Sequence, residues 1–72
     1  MLPGLTAREQ QILDLIAEGC TNRQISSNLS ISESTVENHL HHIFVKLGIS
    51  NRAQAVAHAF QLRMFLQIND GK

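Results

Sequence analysis

Three polar residues recur at helical spacing between Ser32 and Gly48, and their side chains suit hydrogen bonding in a groove. Ser34, Asn38 and His41 lie at i, i+4 and i+7, which places them on one face of a helix. Their short or planar side chains carry donors and acceptors that can pair with DNA base edges. The sequence offers no catalytic acid pair, no nucleophile with a base and no glycine-rich phosphate loop. We therefore predict a contact with double-stranded DNA here, and no enzyme.

The stretch 32–48 has the start and stop signals of one complete helix. The Ser32 hydroxyl can cap the first turn, and Gly48 can take the left-handed conformation that ends a helix. Opposite the polar face, apolar residues recur at i, i+4, i+7 and i+11, so this stripe must be buried. Its members are Val36, Leu40, Ile43 and Leu47.

Other helices must cover this stripe, and three capping signals predict where they begin. The signals are Thr6-x-x-Glu9, Thr21-x-x-Gln24 and Asn51-x-x-Gln54. They predict a helix over about 7–18, a short helix after 21, and a fourth helix that ends at about Met64 or Phe65. Nothing in the sequence is typical of a strand. The pattern predicts an all-α four-helix bundle whose second and third helices form a helix-turn-helix.

Length and composition limit the organisation of the chain. Seventy-two residues permit one domain with a thin core. We expect a residual linker at 1–5, the domain at 6–66 and a frayed terminus at 67–72. The formal net charge is zero, so a contact with DNA must depend on local charge. The single cysteine, Cys20, fits a reducing compartment, and no apolar run has the length of a membrane span. We therefore predict a cytoplasmic protein with no membrane segment.

Three cationic residues around the helix-turn-helix are placed to meet a phosphate backbone. They are Arg23, Lys46 and Arg52. The backbone amides that open the second helix, from Thr21 to Arg23, add an uncharged phosphate site.

The histidines of the third helix raise the question of a metal site. His39 and His42 share a face at i, i+3, but no carboxylate or thiol at helical spacing completes a coordination sphere. We predict no metal and no cofactor. His39 lies instead near the phosphate-facing side, where it can donate a hydrogen bond.

The fourth helix is apolar on two sides. We expect its inward side to consist of Ala53, Val56, Ala57 and Phe60. The second apolar side then has no partner within the chain, which predicts a weak homodimer that DNA strengthens. This predicted dimer interface consists of Ala55, His58, Ala59 and Leu62.

Six spaced motifs in this order resemble the LuxR-type helix-turn-helix DNA-binding domain, and most closely the NarL-like response-regulator output domains. They are Leu5-Thr6-x-Arg8-Glu9, Ile16-Ala17-x-Gly19, Thr21-Asn22-Arg23-Gln24-Ile25, Thr35-Val36-x-x-His39-Leu40, Lys46-Leu47-Gly48-Ile49 and Arg52-Ala53-Gln54-Ala55. The resemblance covers Leu5 to about Phe65. It implies a four-helix transcriptional regulator with its third helix in the major groove and its fourth helix pairing two copies on an inverted repeat. It also implies an upstream receiver or sensor domain, which this chain lacks.

The resemblance also assigns roles to individual residues. It implies base reading by Glu37, Asn38 and His41, to which the helical face adds Ser34. It implies phosphate contacts by Thr21, Asn22, Arg23, Thr35, His39, Lys46 and Arg52.

Glu37 departs from the family pattern, because many relatives have Lys or Arg at this position. A carboxylate cannot bind the acceptors of guanine, but it can accept from a cytosine amino group or disfavour wrong sites. Glu37 and the zero net charge also support an alternative function, a helix-turn-helix module that binds a partner protein.

Overall fold

Four helices follow one another in the computed structural model, which describes the backbone of residues 4–70 and the side chains of residues 4–61 and 64. They are α1 (Ala7–Ala17), α2 (Asn22–Leu29), α3 (Glu33–Leu47) and α4 (Arg52–Asp70). Within 4–70 the backbone forms no strand. The all-α four-helix prediction is therefore confirmed, with α2 and α3 as the helix-turn-helix.

Local side-chain capping begins the first three helices, as the sequence predicted. The Thr6 hydroxyl accepts from the Glu9 amide over 3.1 Å, and the Glu9 carboxylate accepts from the Thr6 amide over 3.0 Å. Thr21 and Gln24 form the same reciprocal pair at the start of α2. Ser32 caps α3 by accepting from the Thr35 amide over 3.0 Å. These bonds satisfy amides that a helix start would otherwise leave unpaired.

A left-handed residue turns the chain from α2 into α3. Ser30 has φ 58°, a conformation that a residue other than glycine adopts at a cost. The next amide, that of Ile31, donates back to the Ser26 carbonyl over 3.0 Å, and the Ile31 side chain packs against the core. This closure fixes the tight connection that sets α3 against α2.

The core lies where α1 meets α3 and α4, and α2 packs on α3. The predicted stripe of α3 is in place: Val36 and Ile43 are fully buried, Leu40 is almost so, and Leu47 packs against them half-buried. The inward face of α1 consists of Glu9, Ile12, Leu13, Ile16 and Ala17.

The predicted orientation of α4 was wrong. Ala55 and Ala59 are 0% and 4% exposed and belong to the core, so they cannot form an outer surface. Phe60, expected inside, is 47% exposed. Small alanines let α4 and α1 approach closely, which favours Ala55 and Ala59 over the bulkier Phe60 in the core.

The other residues predicted for the two apolar sides of α4 differ in their exposure. Ala53 and Ala57 are exposed rather than inward, while Val56 is half-buried against the core. His58 is half-buried, and the side chain of Leu62 lies outside the described residues.

The fourth helix also runs further than expected. It continues to Asp70, past the predicted end at about Met64 or Phe65 and into the stretch expected to fray. No proline or glycine occurs between Phe65 and Asp70 to end it, and Gly71 is the first such residue.

Candidate nucleic-acid interface

The outward face of α3 is a ridge of exposed polar side chains. Ser34, Glu37, Asn38 and His41 are all exposed. By helical spacing, Ser34, Asn38 and His41 lie opposite the buried stripe of the same helix, and Glu37 lies beside them on one flank. In the described part of the chain their side chains have no hydrogen-bond or ion-pair partner. The His41 ring lies near that of His42, with centroids 6.0 Å apart. The face predicted to read bases is therefore accessible, and its hydrogen-bonding groups are unpaired within the described residues.

Val45 extends this ridge toward the end of α3. Its side chain is 68% exposed, and it lies at i+4 from His41 and i+7 from Asn38. An apolar group at such a position can contact a thymine methyl group.

The start of α2 presents a second set of donors. Thr21 caps the helix, and the backbone amides of Asn22 and Arg23 have no partner in the described part of the chain. The Arg23 side chain is exposed and its guanidinium makes no internal contact there. Free amides, the positive end of the helix dipole and a mobile cation together suit a phosphate.

Thr35 and His39 lie half-buried at the side of the ridge. The Thr35 hydroxyl is 2.9 Å from the Ser32 hydroxyl and so belongs to the capping group of α3. The His39 imidazole has no hydrogen-bond partner among the described residues. His39 is therefore the freer of these two predicted phosphate contacts.

Lys46 is exposed along its stem, but its ammonium is paired within the protein. Its Nζ atom lies 2.7 Å from Oε1 of Glu9, a carboxylate that is 3% exposed. The Lys46 ammonium and the Thr6 amide hold the pKa of the Glu9 carboxyl below its ordinary value. Sequence reasoning found the capping role of Glu9 but missed its pairing with Lys46, which lies 37 positions away along the chain.

Arg52 is engaged as well. Its Nη1 atom donates to Oδ1 of Asn22 over 2.6 Å, and its Nη2 atom donates to the carbonyl of Cys20. Of the three cations predicted to meet phosphate, only Arg23 has no internal partner in the described part of the chain.

Among the described side chains, no three His, Cys, Asp or Glu residues come close enough together to hold a metal ion. No described helix is long and apolar enough to cross a membrane.

The family model "Bacterial regulatory proteins, luxR family" matches residues 3–59. The chain belongs to the LuxR family. It is 52% identical over 56 residues to the probable transcriptional regulatory protein SgaR of Hyphomicrobium methylovorum, covering 78% of this chain and 26% of that protein. It is 39% identical over 70 residues to the DNA-binding transcriptional activator DevR/DosR of Mycobacterium tuberculosis, covering 97% of this chain and 32% of that one.

A solved structure agrees with these relatives. The response regulator ChrA of a heme-sensing two-component system superposes with a TM-score of 0.77 and 46% sequence identity over 88% of this chain and 31% of that one. The LuxR-family chain thus spans about a quarter to a third of the length of these relatives. They are named as regulators and not as enzymes, which confirms the LuxR and response-regulator resemblance and the prediction that the chain is not an enzyme.

Proposed function

We propose that this LuxR-family domain binds double-stranded DNA sequence-specifically, with α3 in the major groove, as the output part of a transcriptional regulator. The observation that carries the proposal is the ridge of α3. Its hydrogen-bonding side chains are exposed and unpartnered, while the opposite stripe of the same helix is buried. A rigid helix that presents free donors and acceptors is what the major groove admits and reads.

Each polar side chain of the ridge can form hydrogen bonds with the edges of particular bases. Asn38 can pair with adenine through one acceptor and one donor, and His41 can donate to N7 or O6 of guanine. Glu37 can accept from the amino group of cytosine, and Ser34 can bind either kind of edge. Loss of such a residue should change sequence preference.

Phosphate contacts hold the domain on the duplex without reading it. The start of α2 is the best supported site, with Thr21, Asn22 and Arg23, and His39 and Thr35 lie beside the ridge. Lys46 and Arg52 are weaker candidates, because each already bonds within the protein.

Pairing of two copies through α4 would place two ridges on an inverted-repeat site. The corrected face of α4 offers an exposed apolar strip at i, i+4, i+7 and i+11. The α4 strip consists of Ala53, Ala57, Phe60 and Met64. A strip this narrow buries little area, so the dimer is weak without DNA.

The lengths of the relatives bear on the rest of the regulator. Because the chain spans only part of them, we propose that it works with an upstream receiver or sensor domain. Its partner, chromosomal DNA, places it in the cytoplasm.

A protein-binding module with the same fold is the second candidate, favoured by the zero net charge and by Glu37 on the ridge. Measurement of duplex affinity at increasing salt concentration distinguishes DNA binding from protein binding. Arg23 alone, counted in both copies of a dimer, gives a slope of about −2 in log affinity against log salt, and all three predicted cations give about −5. A slope in that range supports DNA binding, whereas absent binding or a slope near zero supports a protein partner.

A further inference from the structure

We propose that Arg52 is a positioning residue, which holds the start of α2 in the geometry that receives phosphate and does not bind phosphate itself. This inference rests on the proposed DNA binding. It assigns to Arg52 a role different from the phosphate contact that the family resemblance implies.

The Arg52 guanidinium joins the two residues on either side of the α2 cap. Nη1 donates to the Asn22 side chain over 2.6 Å, and Nη2 donates to the Cys20 carbonyl. Between these two residues lies Thr21, the N-cap of α2. The planar guanidinium can make both bonds at once, which a lysine ammonium on its flexible stem does not reproduce. Arg52 therefore fixes the direction in which the chain enters α2.

The two bonds have a direct consequence for the donors at this site. Because Oδ1 of Asn22 accepts from Arg52, its Nδ2 group is the part left to donate, and it has no partner in the described residues. The Cys20 carbonyl, which would repel a nearby phosphate, is occupied by a donor. The free backbone amides of Asn22 and Arg23 come shortly after Cys20 along the chain. The arrangement leaves donors, and not acceptors, available at the start of α2.

Arg52 also connects two parts of the fold that otherwise touch little. It is the first residue of α4, whereas Asn22 is the first residue of α2. α4 packs mainly on α1, and within the described residues no other hydrogen bond joins α4 to α2. The Arg52 side chain is therefore the direct polar link between the phosphate site and α4, in addition to the packing of both helices on the shared core.

A double-mutant cycle tests this role. Duplex affinity is measured at several salt concentrations for four variants: Arg52→Lys, Arg52→Gln, Asn22→Ala and the Arg52→Gln/Asn22→Ala pair. Each affinity is corrected for the fraction of folded protein, which thermal unfolding gives. We expect Arg52→Lys and Arg52→Gln each to lose about five- to tenfold in affinity, roughly the value of one well-made hydrogen bond. The salt slope should stay at the parent value, and Asn22→Ala should cost less in the Arg52→Gln background than alone. Arg8→Gln, which removes an exposed arginine of α1, is the matched charge control.

Two results would overturn the role. Direct phosphate binding by Arg52 would give three results together. Arg52→Lys would keep the parent affinity, and Arg52→Gln would make the salt slope shallower by about 0.9 per copy. The affinity losses of Arg52→Gln and Asn22→Ala would also add in the double variant. If the corrected affinities all equal the parent value, Arg52 only supports folding.

Amide chemical shifts in the free protein keep this test separate from the proposed function. The shifts of Asn22 and Arg23 should move in both Arg52 variants and stay in place in Arg8→Gln. If the parent does not bind duplex, the proposed function fails, and these shifts still decide whether Arg52 positions α2. Unmoved shifts would overturn that positioning.

Discussion

Lys46, near the end of α3, donates to the Glu9 carboxylate of α1 over 2.7 Å. Glu9 is 3% exposed and accepts a second bond from the Thr6 amide. A buried carboxylate is costly unless it is paired, so this ion pair links α3 to α1 and compensates the burial of Glu9. The apolar stripe of α3, buried on the opposite side, keeps the ridge outward.

Replacement of Lys46 by Met should destabilise the fold. The change leaves Glu9 with only the Thr6 bond, and we expect the free energy of unfolding to fall by about 1–3 kcal/mol in chemical denaturation. The Glu9→Gln/Lys46→Met pair should recover part of the loss, because it removes the charge together with its partner. Unchanged stability with weaker DNA binding would mean that Lys46 contacts phosphate instead.

Stability should fall in acid through Glu9. Since the Lys46 pairing lowers the pKa of Glu9 in the folded state, the pair contributes fully above the ordinary glutamate value of about 4.3. The contribution is lost as the pH falls from there through the folded-state pKa. Denaturation measured between about pH 6 and 2.5 should show a smaller acid loss for Glu9→Gln than for the parent. Equal acid loss in both proteins would contradict a role for Glu9.

The left-handed turn at Ser30 offers a stabilising change. Ser30→Gly removes the strain of φ 58° and should raise the free energy of unfolding by about 0.5–1 kcal/mol, after allowance for the flexibility of glycine in the unfolded chain. Ser27→Gly, in the exposed last turn of α2, is the control and should cost up to about 0.5 kcal/mol. A loss of stability in both variants would show that Ser30 is not strained.

A charge introduced into the α4 strip tests whether two copies pair through it. Phe60→Glu should leave binding to a single half-site intact and reduce cooperativity on an inverted repeat, because the carboxylate cannot be buried between two copies. Gln61→Glu places the same charge on the neighbouring, exposed position outside the strip and should have a smaller effect. Full cooperativity in Phe60→Glu would exclude the strip as the interface.

The features that sequence predicted well are local. Capping at Thr6, Thr21 and Ser32 depends on residues three positions apart, and the buried stripe of α3 follows from its spacing. The orientation of α4 was missed because the helix is apolar on two sides, so its periodicity does not say which side meets α1. The partner of Lys46 lies 37 positions away along the chain, and the two partners of Arg52 lie 30 and 32 positions away. These partners were missed because no local pattern reports contacts at such distances.

The division between base-reading and phosphate-binding residues depends on the ridge facing the duplex. Asn38 lies in the exposed centre of α3, whereas Arg23 lies on α2 beside the free amides. Asn38→Ala should therefore cost about 1–3 kcal/mol on the preferred site while leaving non-specific affinity nearly intact. Arg23→Ala should weaken binding to all sequences alike.

Selection of bound sites from a random duplex pool tests the central claim most directly. The parent should return a defined inverted-repeat motif, and Asn38→Ala or His41→Ala should lose preference at one base pair in each half-site, with Arg23→Ala keeping the parent motif. A parent that enriches no motif, or Asn38 and His41 variants that return the parent motif at full strength, would contradict base reading by this face of α3.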